Sequence, residues 1–324
     1  MKTSATIEPD FSGAPLLRVA APHVRYAPAC RCALPGRRRF GAALLAAGAA
    51  QVLPAHAREG VDVKPPSAFS KIVSAEQIEA AAAQQYAQLL AQAARQHALA
   101  PVNHPQLVRL RSISQRLIPH TYEWNARARQ WHWDVNLIGS KQINAFCMPG
   151  GKIAFYTGIL ERLRLSDDEV AMVMGHEMAH ALREHAREQM GKTAATRGAI
   201  EIGAAIFGLG NVGRTAAGIG GQLLSLRFGR EDESEADLIG LELAARAGYD
   251  PHAGVTLWQK MAKASQGAQP EFISTHPSGP TRIRDIEANL PKVEPLYARA
   301  AKPGQRFGPP KSAAPAERSG AAGK

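Results

Sequence analysis

Cysteine is scarce in this 324-residue chain, which holds only Cys30, Cys32 and Cys147. The first two fall in an N-terminal stretch that reads as removable, so Cys147 is left alone and no internal disulfide can brace the fold. Neither early cysteine follows an apolar run, which argues against a lipid-attached protein. Long hydrophobic runs are also missing. The apolar stretch Gly41 to Leu53 falls short of the about 20 residues that a bilayer requires. A Gly/Ala-rich stretch, 194–226, is interrupted by Arg197, Glu201 and Arg214, against a stable span. A small-residue helical hairpin packed beside the active site, or one touching a membrane surface, fits it better, and such a segment could also act as a movable lid. Aromatic residues make up only 6% of the chain. No basic stripe interleaves with them, so no nucleic-acid partner is expected. No internal repeat is present.

The formal charge is +11, unevenly placed. Residues 1–57 hold seven Lys/Arg and two Asp/Glu, and the remainder holds 32 and 26. The N-terminal excess has an order. Arg37-Arg38-Arg39-Phe40 precedes the short apolar run, and Ala55-His56-Ala57 supplies an A-x-A cleavage site. This predicts an export signal over 1–57 and a periplasmic mature protein. Arg37-Arg38-x-Phe40 resembles a twin-arginine signal, with Gly36 where Ser or Thr is usual; a general secretory signal is the alternative. The remaining basic excess suits a solvated surface, with contact to an anionic membrane as a further expectation.

What the chain does have is His176-Glu177-Met178-Ala179-His180. Residues at i and i+4 share a helix face, so both imidazoles point the same way. Two neutral histidines so placed can hold Zn²⁺, and the glutamate between them can take a proton from a metal-activated water. A third protein ligand is then needed. Downstream, Glu231-Asp232-Glu233-Ser234-Glu235-Ala236-Asp237 opens another helical pattern. Glu233 and Asp237 share a face, suiting a ligand carboxylate with a second carboxylate one turn on. Asp237 could accept the free N–H of a ligating histidine and fix its tautomer. Glu235 falls on another face and is expected to be solvated. Alone, the acidic run would be only the charged start of a helix, favoured there by the dipole.

Together, H-E-M-A-H and E-S-E-A-D-L-I-G resemble the gluzincin zinc metallopeptidases related to HtpX and the CAAX prenyl protease. They most resemble the soluble periplasmic BepA/LoiP-like branch. Asn144-Ala145-Phe146-Cys147-Met148-Pro149-Gly150-Gly151 is similar to the N-A-F-x-x-P-G-G segment of that branch. Thr275-His276-Pro277 with Arg282-Ile283 is similar to its T-H-P-x-x-x-x-R-I motif. The resemblance spans about residues 75–290. It implies one Zn²⁺ held by His176, His180 and Glu233, with Glu177 as catalytic base. It also implies a cleft bordered by Asn144, Ala145 and Phe146, where an edge strand could pair with extended substrate.

The expected fold is α+β and mainly helical, a zincin-like metallopeptidase domain with a small β-sheet beside the HExxH helix. Residues 58–74 read as a lead-in, 75–300 as the domain and 301–324 as a disordered tail. Helices are predicted over 75–98, 107–118, 231–247, from Asp250-Pro251 to Met261, and from Pro280 to Leu290. Alternation from Trp131 to Leu137 predicts a strand with His132 facing solvent, and Lys152 to Thr157 a second. Ser166 and Glu169 form a capping box opening the active-site helix. His185, nine residues after His176, would lie about 180° around that helix, on the surface.

The expected reaction is endoproteolysis of unfolded or extended polypeptide. His276 and Arg282 are the candidate donors to the developing oxyanion. His276 has a second physical option: its imidazole could fill the open zinc position and hold the enzyme latent. The alternative function is a zinc-binding chaperone or assembly factor. A purely structural zinc site would leave Glu177 without a task.

Overall fold

The computed structural model describes residues 58–196, 223, 226–265, 271–276 and 280–310. The export signal expected over 1–57, most of the Gly/Ala-rich stretch and Pro277 lie outside them.

The lead-in runs to Ser74, whose side chain caps helix α1, Ala75–Arg95. The expected continuation to residue 98 fails because His97 takes a left-handed φ of 53°. Helix α2, Pro105–Leu117, opens on a proline at a position that needs no N–H. Strand β1 is Asp134–Ile138, β2 Ala145–Met148 and β3 Lys152–Tyr156. The sheet order is β1-β3-β2, with β1 parallel and β2 antiparallel to β3. The β1 ladder starts at Asp134 opposite Lys152, later than the alternation suggested. Trp131 and Trp133 precede it and pack on each other, ring centres 5.3 Å apart, with Trp131 Nε1 donating to Glu79. His132 is exposed, as expected. Gly150 and Gly151 make the β2–β3 turn at φ of 82° and 76°, open to glycine at little cost.

Helix α3, Thr157–Arg162, leads to α4, Asp167–Leu182, which carries the H-E-x-x-H residues. The capping box forms: Ser166 N donates to Glu169 (2.8 Å) and Glu169 N to Ser166 Oγ (3.2 Å). Every residue of α4 except Asp168 is buried, so this helix is the core of the domain rather than an amphipathic surface helix. A buried ion pair pins its start, with Arg109 Nε 2.6 Å from Asp167 Oδ1. Residues 306–308, expected in a loose tail, are tied to the same place. Arg306 pairs with Asp168, and the Phe307 and Gly308 amides donate to Asp167.

Helix α5 is His185–Thr196, α6 Arg230–Arg246, α7 Ala253–Ala264, α8 Glu271–Thr275 and α9 Pro280–Arg299. Around α4 pack α6, β2, α2 and α7. The α4–α6 approach is unusually close because glycine meets glycine. A Cβ on Gly175 would lie 2.9 Å from Gly240 O, and one on Gly240 would lie 2.7 Å from His176 N. Helix α9 outruns its expected end at Leu290, continuing through Pro291 and Pro295. Those prolines and Glu287 are exposed, so carbonyls deprived of a partner meet water, while buried Val293 and Leu296 hold the helix to the core.

Candidate metal centre and its cleft

Helical spacing puts His176 and His180 on one face of α4, and the glycine contact brings α6 near enough for Glu233 and Asp237 to reach them. Ligand atoms of His176, His180, Glu233 and His276, all four buried, lie within 4.8 Å of one another. His176 Nε2 is 3.1 Å from His180 Nε2 and 3.6 Å from Glu233 Oε2, and His180 Nε2 is 3.5 Å from Glu233 Oε1. Tetrahedral zinc with bonds of about 2.0–2.1 Å separates its ligands by roughly 3.3 Å. The donor atoms therefore cluster on the scale of a zinc site, with Glu233 presenting a different oxygen to each histidine. The donor set, two neutral imidazoles and a carboxylate, matches zinc's preferences.

The fourth corner is His276 Nδ1, 3.3 Å from His176 Nε2 and 3.0 Å from Glu233 Oε1. Glu177 lines the cleft beside it. Its Oε1 is buried without a hydrogen-bond partner and lies 3.6 Å from His276 Nε2. Burial pushes the Glu177 carboxyl above its ordinary range, as suits a group that must take up a proton. Burial and the neighbouring His176 hold His180 well below the usual histidine range, in the neutral form a metal needs.

Asp237 Oδ1 stands 3.0 Å from His176 Nδ1. Arg282, in the first turn of α9, grips Asp237 with two bonds of 2.6 and 2.7 Å and reaches Glu233 Oε2 at 2.7 Å. Burial works against an ionised Asp237, but Arg282 outweighs it and, with His176, holds the carboxyl down at about 2. The guanidinium also lies 3.5 Å over the Trp258 ring. The expectation that Arg282 donates to substrate is therefore corrected. It stands behind Glu233 and Asp237, and its charge is spent on those carboxylates.

The cleft, about 250 Å³, is lined by Asn144, Ala145, Phe146, Glu177, His180 and His276 among others. The three residues expected to border the substrate thus do face the same hollow as Glu177. Asn144 precedes, and Ala145 and Phe146 open, β2, an edge strand of the sheet.

Two expectations fail. His185 is not on the surface: it is 1% exposed, and its Nδ1 lies 2.8 Å from His180 Nδ1. The helical projection breaks because α4 ends at Leu182 and Glu184 turns left-handed at φ 58°, so α5 restarts in a new direction. Glu235 is not simply solvated either. It meets Arg183 at 2.7 Å and His185 Nε2 at 3.1 Å. Phe228, stacked on His180 with ring centres 4.1 Å apart, had no signal in the sequence at all. Gly175 and Gly240 could have been noticed as glycines at matching helix faces.

An α+β, mainly helical fold with a three-stranded sheet beside a H-E-x-x-H helix, completed by a glutamate from a second helix, defines a metallopeptidase domain. Comparison with known sequences agrees, and the chain belongs to peptidase family M48, whose model matches residues 106–290. The chain is 34% identical over 197 residues to the mitochondrial metalloendopeptidase OMA1 of Schizosaccharomyces pombe, covering 60% of this chain and 56% of that one. It is 29% identical over 195 residues to metalloprotease LoiP of Escherichia coli, covering 59% and 73%. Over 214 residues it is 27% identical to the β-barrel assembly-enhancing protease of Escherichia coli, covering 62% and 42%. The chain spans between 35% and 62% of the length of the OMA1 proteins of fission yeast, Arabidopsis thaliana and Saccharomyces cerevisiae.

Proposed function

We propose that this chain is a zinc-dependent endopeptidase of the periplasm that cuts unfolded or extended polypeptide, in quality control of misfolded or misassembled envelope proteins. The observation carrying the activity is the convergence of His176, His180 and Glu233 beside a buried Glu177 oxygen that makes no hydrogen bond. His176, His180 and Glu233 would hold the zinc, which would supply Lewis acidity and lower the pKa of an attacking water towards ~7. Glu177 takes that water's proton and delivers it to the leaving amine. The edge strand β2 adds the substrate backbone as a further strand, with Asn144, Ala145 and Phe146 beside it. The sequence order of residues 37–57 supports export, and a bacterial relative named as a β-barrel assembly-enhancing protease supports the envelope setting; the mitochondrial relatives share the domain. No described helix is long and apolar enough to cross a membrane. Contact with a membrane surface and the absence of a nucleic-acid partner rest on composition.

His276 admits a second reading of the same site. Its Nδ1 occupies the fourth corner rather than pointing along the cleft, which favours a latent state over immediate oxyanion binding. Turnover then requires His276 to swing away, after which its N–H can serve the oxyanion. The alternative, a zinc-binding chaperone or assembly factor, leaves hydrolysis minor.

The test is casein degradation by the full chain and its Glu177→Gln variant, with zinc content measured on both. Cleavage by wild type that chelator stops, with a zinc-loaded inactive variant, is the expected result. Zinc in both and cleavage by neither points to latency, which His276→Ala should relieve. If His276→Ala is equally silent, the chaperone reading replaces the peptidase.

A further inference from the structure

We propose that His185 is a positioning residue for His180: it dictates which ring nitrogen of His180 faces the centre. The inference rests on the reading above that His180 is a zinc ligand.

The geometry is a chain of four groups. Arg183 meets Glu235 Oε1 at 2.7 Å, Glu235 Oε2 meets His185 Nε2 at 3.1 Å, and His185 Nδ1 meets His180 Nδ1 at 2.8 Å. Two ring nitrogens at that distance need one proton between them, so one donates and the other accepts. Glu235 settles the direction. A carboxylate can only accept, so His185 Nε2 carries its proton towards Glu235. A neutral His185 then has a bare Nδ1, which accepts from His180 Nδ1–H. That leaves His180 Nε2 deprotonated, with its lone pair on the side of His176 and Glu233. The reverse tautomer would set a bare nitrogen against a carboxylate and a proton against the metal.

The backbone gives independent support. Glu184 is one of three non-glycine residues with positive φ among those described, and it sits immediately before His185. A left-handed non-glycine residue costs energy, so the surrounding structure must require the turn. Had α4 continued, His185 would have stood about 140° away from His180 around the helix. The turn is what returns the ring to it.

The resulting arrangement parallels the other side of the centre, where Asp237 accepts directly from His176 Nδ1–H. Such outer partners are generally worth 10–100-fold in metal affinity.

The experiment uses the full chain with zinc as the probe, its affinity read by competition with a chromophoric chelator and the melting of the metal-free protein read beside it. His185→Phe keeps a buried ring and cannot accept the proton; affinity should fall about 10–100-fold. His185→Gln offers a carbonyl to His180 and an amide to Glu235, and should recover most of that loss. Equal affinity of wild type and His185→Phe overturns the proposal, as does a His185→Gln variant as weak as His185→Phe. If His185→Phe does not fold, Glu235→Ala decides, because it removes the acceptor that fixes the His185 tautomer from the far side of the ring: a several-fold loss supports the relay, and unchanged affinity overturns it. Wild type that takes up no zinc overturns the metal reading and this proposal with it, whereas zinc-binding wild type with unaffected variants overturns this proposal alone.

Discussion

On the α9 side of the centre, a carboxylate touches the first histidine directly. Asp237 lies 3.0 Å from His176 Nδ1, with Arg282 clamped behind it and Trp258 closing over the guanidinium. On the α5 side, the outer nitrogen of the second histidine, His180 Nδ1, meets a ring and not a carboxylate. His185 is interposed between His180 and Glu235, and Glu235 keeps 18% of its side chain exposed. The difference follows from distance to the core. Asp237 rides on the stretch of α6 that the glycine contact presses against α4. Glu235 lies on another face of α6, bordering an open hollow with Asp62, Lys64 and Arg230. A deep support can be short and ionic because the fold has already excluded water. A peripheral one needs an intervening ring to span the gap.

The largest effect ignores this asymmetry and sets its ceiling. His176→Ala and His180→Ala should each remove the metal and lower casein turnover by on the order of 10⁴-fold, as when members of a unit that acts together are deleted singly. Metal analysis with a turnover assay checks it. Substantial activity left in one of the two would show that the ligands are not equivalent and break the comparison at its root.

Stability should then separate the sides. Arg282→Met leaves Glu233 and Asp237 buried without their cation, which should cost about 3–5 kcal/mol in denaturant unfolding. Arg183→Met takes the cation from Glu235, which keeps His185 and which water can reach, and one donor from the Lys64 carbonyl, and should cost about 1–2 kcal/mol. Equal costs would mean that the α5 support is as dry as the α9 support.

The same contrast marks what could be read from the sequence. His176, His180, Glu233, Asp237 and the Ser166–Glu169 box obey helical periodicity within single elements, and periodicity is a local property. His185 obeyed it on paper and escaped because one residue, Glu184, left the helical region. No pattern in Arg183-Glu184-His185 announces that turn. Arg282 was visible as part of a late motif, but its task was not, since a motif gives company and not direction. Seen in place, its planar fork fits the Asp237 carboxylate behind the site. Phe228 stacks on His180 through a contact between elements 48 residues apart, beyond any local rule.

A smaller effect probes why the α9 support is close at all. Gly240→Ala puts a methyl 2.7 Å from His176 N and 3.0 Å from Gly175 C, against backbone that cannot swing aside. Parting the helices should cost about 1–3 kcal/mol. It should also weaken zinc binding, because Glu233 and Asp237 move with α6 while His176 and His180 stay on α4. Lost stability with unchanged zinc affinity would mean that the carboxylates reach the centre without the close approach.

The smallest effect belongs to the α5 side. Glu184→Gly relieves a left-handed residue, a gain of about 1–2 kcal/mol at such positions. It also deletes the ion pair of Glu184 with Arg187, worth up to about 1 kcal/mol for groups near the surface. Glycine's extra freedom in the unfolded chain takes back a further ~0.5–1 kcal/mol. These terms nearly cancel, so thermal unfolding should move little and zinc affinity should stay within twofold, since glycine adopts the same turn and returns His185 to the same place. A large loss of zinc affinity would show that the Glu184 side chain, and not the backbone turn it makes, holds the α5 support together.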